Sequence, residues 1–89
     1  MKAIKKPIAV DVWQLDFENI RFAPDWVKEA LEANRIVYRG EGGYWTIHTI
    51  EGSMFADNGS YLIKGVKGEL YPCRKDVFEE TYDVVEDEK

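Results

Sequence analysis

The chain has 89 residues, 45% of them hydrophobic and 13% aromatic, with a formal net charge of −5 at pH 7. That length supports one core and leaves little room for a second domain, and the composition is too apolar for a disordered chain. The acidic balance argues against a nucleic-acid binder, whose affinity would come from Lys and Arg neutralising phosphates, and the single cysteine excludes an internal disulfide framework. No stretch approaches the roughly 20 apolar residues of a membrane span. Lys2, Lys5 and Lys6 precede no uninterrupted apolar run of the signal-peptide kind, and three lysines at a terminus read as solvated ends. The expectation is a cytoplasmic protein in which residues 1–89 fold as one domain of about 5–10 kcal/mol stability. The acidic tail, residues 86–89, should fray.

In chain order, residues 7–15 read as a first strand, with Ile8, Val10 and Val12 on one face and Trp13 and Leu15 on the other. Apolar residues on both faces suit a strand covered on two sides. Residues 16–21 are polar and read as a connection. Pro24 then opens a helix over 24–33, because proline is pre-organised for the first helical position, and Asn34 can end it in the left-handed conformation. Trp26, Val27, Ala30 and Leu31 form its apolar stripe, and Phe22 is placed to cover its start as a staple. Residues 35–39 and 44–50 alternate as strands around the loop 40–43. Glu51-Gly52 is a tight turn leading to a strand over 53–56.

The last third is organised most tightly. Asp57-Asn58-Gly59 is a turn cluster, and residues 60–65 alternate as a strand. Gly65 and Gly68 bracket a structural turn that uses the backbone freedom of glycine, and residues 69–71 return as the partner strand. Pro72 lacks an N–H and should end that strand. Residues 74–81 read as a short helix with Val77 and Phe78 inward. Tyr82, Val84 and Val85 should then rejoin the sheet. The fold expected is α+β: a small, mostly antiparallel sheet, one long helix packed on a face, and a short C-terminal helix before the last strand.

Chemistry is sparse. Cys73 and His48 are the only residues that could form a thiol–imidazole pair, and nothing in their spacing sets the geometry such catalysis needs. One His and one Cys fall short of a zinc set, and the acidic residues lack calcium-loop spacing. Gly65 and Gly68 are followed by a strand, whereas a phosphate loop leads into a helix. No cofactor and no metal are therefore expected. The aromatics are more telling, since Tyr and Trp are residues that interfaces favour. Tyr38, Tyr44, Tyr61 and Tyr71 form the candidate interaction surface; the competing reading places their rings in the core with hydroxyls reaching water.

Tyr61-Leu62-Ile63-Lys64-Gly65-Val66-Lys67-Gly68-Glu69, then Tyr71-Pro72-Cys73, then Asp76-Val77-Phe78 and Thr81-Tyr82, resembles the C-terminal signature of a family of small phage and prophage proteins of Gram-positive bacteria. The opening Lys5-Lys6-Pro7-Ile8 is also similar, and the middle of the chain matches poorly. Ser60 and Lys75 depart from the family pattern, which usually has Asp and Pro there. The family carries no known catalytic role, so the resemblance implies origin and brings no functional residues with it.

These readings favour a non-enzymatic protein–protein interaction module, acting on a host or phage protein in the bacterial cytoplasm or on itself as a homodimer. The alternative is a small-ligand or nucleotide-sequestering protein. A cysteine-dependent enzyme using Cys73 is a remote third.

Overall fold

A computed structural model describes residues 1–4 and 8–85; Lys5 and Lys6 of the basic cluster, and the 86–89 tail, lie outside the described residues. The elements are β1 (Asp11–Gln14), α1 (Asp25–Glu32), β2 (Ile36–Arg39), β3 (Tyr44–Thr49), β4 (Gly52–Asp57), β5 (Tyr61–Lys64), β6 (Leu70–Cys73) and α2 (Lys75–Thr81), with a 3-10 segment over Phe17–Phe22. The class is α+β, and every strand pairing is antiparallel. The strands form two sheets, β2-β3-β4 and β1-β5-β6, rather than one.

The division follows from the two ways the chain can close. The first sheet is a meander of neighbours, Ile36 opposite Ile47 and Trp45 opposite Ala56. The second needs β1 to wait for β5, and the Asp57-Asn58-Gly59 turn makes the crossing. There Gly59 N donates to Leu15 O at 2.7 Å, and Leu15 N donates to Ser60 O at 2.8 Å. The Asn58 side-chain oxygen accepts from the Phe17 amide at 3.2 Å and from the Trp45 indole N–H at 3.0 Å. One polar side chain thus ties the two sheets and the 3-10 segment together.

The inner faces of both sheets and the inward side of α1 make the main core, in which Leu15, Val27, Ile36, Trp45, Ile47 and Leu62 are fully buried. The helix contributes the stripe read from the sequence: Val27 and Ala30 are buried, while Trp26 and Leu31 are half-buried against them. On the opposite side of the second sheet, Ile63 and Phe78 are buried beneath α2. Phe78 stacks between Tyr61, 3.9 Å between ring centroids, and Tyr82, at 4.9 Å.

Five expectations need correction. The long helix is an α1 of eight residues, about 12 Å, with Pro24 capping it from outside in an extended conformation; Asn34 ends it at φ 58° as expected. Phe22 is no staple, being 75% exposed. The 3-10 segment instead packs Ile20 against the core, with Ala23 buried just after it, while the exposed Phe17 stacks on Tyr38. The first strand is paired only over Asp11–Gln14. Strand β6 runs through Pro72, which pairs with Leu62. It can do so because β6 is an edge of its sheet, where a missing N–H facing outward breaks no ladder. Finally, Tyr82–Val85 form no strand, since β1 and β6, the two edges of the second sheet, are left unpaired by them.

The glycine hairpin is a three-residue turn with a bulge. Gly68 N donates to Gly65 O at 3.0 Å and Gly65 N donates to Glu69 O at 2.8 Å. Only Gly68 of this pair has positive φ, 83°, the glycine position of such a hairpin. Gly68→Ala should therefore lower stability by more than about 1 kcal/mol in urea melts. Gly65→Ala should cost less, because Gly65 is not at positive φ and its Cβ meets the Glu69 side chain, which can swing aside by giving up its bond to the Lys67 amide.

Candidate functional site

The four candidate tyrosines do not share a surface. Tyr38 lies on the inner face of the first sheet, stacked on Phe17 at 4.2 Å and tilted against Trp45 at 5.1 Å. Tyr44 lies on the outer face of that sheet. Tyr61 and Tyr71 sit on the α2 side of the second sheet, Tyr61 on Phe78. Of the four, Tyr44 alone lines a groove of about 770 Å³.

The groove runs between an edge of each sheet. Its first wall is β4, whose consecutive residues Met54, Phe55, Ala56 and Asp57 all line it. Successive strand residues point to opposite faces, so a hollow touched by four in a row lies along the strand's edge rather than on either face. The other wall is Pro72 and Cys73 of β6, with Arg74 and Val77 at the turn into α2. Phe55 is 69% exposed, and Met54 and Val77 are also exposed. Tyr44 meets Phe55 edge to face, 5.6 Å between centroids at 90°. The Tyr44 ring is also pressed against Gly42, where any Cβ would collide with it; a glycine there lets the ring lie along the groove.

At one end the groove joins a polar hollow of about 430 Å³, the two sharing Asp57, Ser60 and Arg74. Ser60 is buried yet lines both. The Arg74 guanidinium grips Asp76 with two hydrogen bonds, 3.1 and 2.6 Å, and that bond, with the Val77 amide, holds the Asp76 carboxyl below the usual carboxylate range.

Cys73 and His48 are not brought together. A His48 ring nitrogen lies 2.9 Å from the Ser53 hydroxyl on the outer face of the first sheet, whereas Cys73 is half-buried in the groove wall. Burial, and then the Asp76 charge, push the Cys73 thiol up, away from the thiolate that nucleophilic chemistry uses. Among the described residues no group of His, Cys, Asp and Glu is arranged to hold a metal ion, and no helix is long and apolar enough to cross a membrane.

Tyr71 is perturbed more strongly. Burial first, and then the Tyr82 hydroxyl, push it up to about 12 from a usual value of about 10. Folding therefore favours the neutral phenol. Its contribution to stability is complete below about pH 10 and is lost as the pH rises through about 12. Chemical denaturation from pH 9.5 to 12 should show a decline that is shallower in Tyr71→Phe.

The chain matches no protein-family model, no curated protein and no solved structure. The groove was missed at the sequence level. Its one signal was Met54-Phe55, two large apolar residues side by side in a short strand, where a half-buried strand would alternate.

Proposed function

We propose that this is a phage or prophage protein that works by binding, and that it takes up an extended segment of a host or phage partner along β4. The observation that carries this reading is the state of that edge. The pairing of β4 with β3 is continuous from Gly52 to Asp57, so no bulge turns its outer side away, and Gly-Ser-Met-Phe-Ala-Asp contains no Lys or Pro. Proteins commonly blunt free edges with those devices, because an open row of N–H and C=O groups recruits other strands. Here the edge carries no further strand, the Asp57 carbonyl at its end being taken by the Ser60 amide, and it is flanked by exposed Met54 and Phe55 and by a groove into which a partner's side chains could reach. That is the arrangement strand addition uses: main-chain hydrogen bonds for affinity and hollows beside the edge for selectivity. The C-terminal resemblance to phage proteins supports the origin, and the bacterial cytoplasm follows from it as the working compartment.

A second reading, a small-ligand or nucleotide-sequestering protein, is favoured by the groove volume, which lies within the roughly 300–1,000 Å³ of small-molecule sites. The test is selection of displayed eight-residue peptides on the immobilised protein and on Phe55→Ser. That substitution is at an exposed position and should leave the melt within about 0.5 kcal/mol. Strand addition predicts enrichment of extended, β-forming peptides with an apolar anchor, lost on Phe55→Ser. If no peptide is enriched, while a nucleotide or metabolite library raises the melting temperature, the small-ligand reading replaces it.

A further inference from the structure

We infer that the segment received on β4 is apolar–basic: an apolar side chain seated between Phe55 and Val77, followed along the strand by a Lys or Arg in the adjoining polar hollow. This rests on the strand-addition reading and adds the chemistry of the partner. The apolar end is set by its walls, Met54, Phe55, Pro72 and Val77, which offer no charge to an anchoring residue.

The basic end is set by charge accounting in the second hollow. Its ionisable groups are Asp57, Arg74, Lys75, Asp76 and Glu79. Arg74 and Asp76 neutralise each other in the only ion pair among the described residues, both carboxylate oxygens of Asp76 being engaged by the guanidinium. Asp57 and Glu79 are left as two carboxylates against the Lys75 ammonium. A guanidinium or ammonium entering there is attracted by a surplus of negative charge, whereas a carboxylate is repelled by it. The chain as a whole, at −5, steers in the same direction, drawing basic segments in and repelling acidic ones. Ser60, only 7% exposed and lining both hollows, puts a hydroxyl-bearing residue where the apolar part of the segment gives way to the polar part.

The two hollows meet at Asp57, the last residue of β4. The anchor and the cation therefore lie along one extended segment, a few residues apart at about 3.3 Å each. The test is fluorescence anisotropy with labelled eight-residue peptides in a Ser/Thr/Val background. Each carries one Leu, and Arg, Gln or Glu at two to five residues on either side of it. The best Arg peptide should bind about fivefold more tightly than its Gln counterpart, the scale of one exposed ion pair, with Glu weakest. The gap should close in 0.5 M salt. It should also vanish in Asp57→Asn/Glu79→Gln, leaving Leu-dependent binding intact. Glu peptides binding as well as Arg peptides, or an Arg advantage that survives the double variant, overturns the charge assignment while leaving strand addition standing. Peptides that bind neither parent nor variant, or binding unaffected by Phe55→Ser, overturn both. Sedimentation of the parent at the same concentrations should show a monomer. A dimer lost on Phe55→Ser would make a second copy the occupant and overturn the apolar–basic assignment.

Discussion

Trp45→Ala should lower the melting temperature by at least about 12 °C, or leave the chain unfolded at 25 °C. Deleting a buried Trp side chain costs about 3–5 kcal/mol, and in a domain of this size each kcal/mol is worth about 4–8 °C. Trp45 has no exposed surface and sits in the middle strand of its sheet. Trp13 meets its ring edge-on at 6.0 Å and Tyr38 at 5.1 Å. Its indole N–H is bonded to Asn58 at 3.0 Å, so the loss is polar as well as apolar. A loss of about 3–5 kcal/mol approaches the whole stability expected of about ninety residues. Asn58→Ala leaves the ring in place but strips both the indole N–H and the Phe17 amide of their shared acceptor, and should cost about 1–3 kcal/mol, which bounds the polar part of the Trp45 loss from above. Thermal melts followed by far-UV circular dichroism check both.

Phe78→Ala should release α2 while sparing the main core. A helix of seven residues is far too short to persist on its own propensity, so its packed face must hold it. That face is Phe78, which is buried and stacked on Tyr61 and Tyr82. Removing the ring should cost about 3–5 kcal/mol if α2 stays docked. Because the helix can instead come away from the sheet, the expected signature is local: rapid amide exchange and protease sensitivity over Lys75–Thr81, with the Trp45 environment unchanged. Peptide binding should fall with it, since Val77 is part of the groove wall. Cooperative loss of all structure would show instead that the two cores unfold together.

Local elements were legible in the sequence because their signals are local. The turn at Asp57-Asn58-Gly59, the Gly65–Gly68 hairpin, the stripe of α1 and the short helix after Cys73 each follow from a few adjacent residues. What could not be read was set by partners far along the chain. Whether Pro72 ends a strand depends on whether that strand is central or at an edge, and edge status is a property of the sheet. Tyr82, Val84 and Val85 have β-forming side chains, yet whether they pair depends on what lies beside them. The groove was hidden for the same reason: Met54, Phe55, Cys73 and Val77 come from two sheets and a helix, and none of them marks the others. Tyrosine content pointed to an interface, but ring count says nothing of direction. Tyr38 and Tyr61 turned out to be stacked on other rings, Phe17 and Phe78, and only Tyr44 reaches the groove.

Amide hydrogen exchange of the protein, alone and saturated with a selected peptide, tests strand addition most directly. If a segment pairs with the free edge, amides of β4 should slow markedly, with smaller effects over Pro72–Val77 across the groove, and the β2 edge of the same sheet should be unchanged. A bound peptide that leaves β4 exchange untouched, or protects β2 or β1 in its place, would contradict the account.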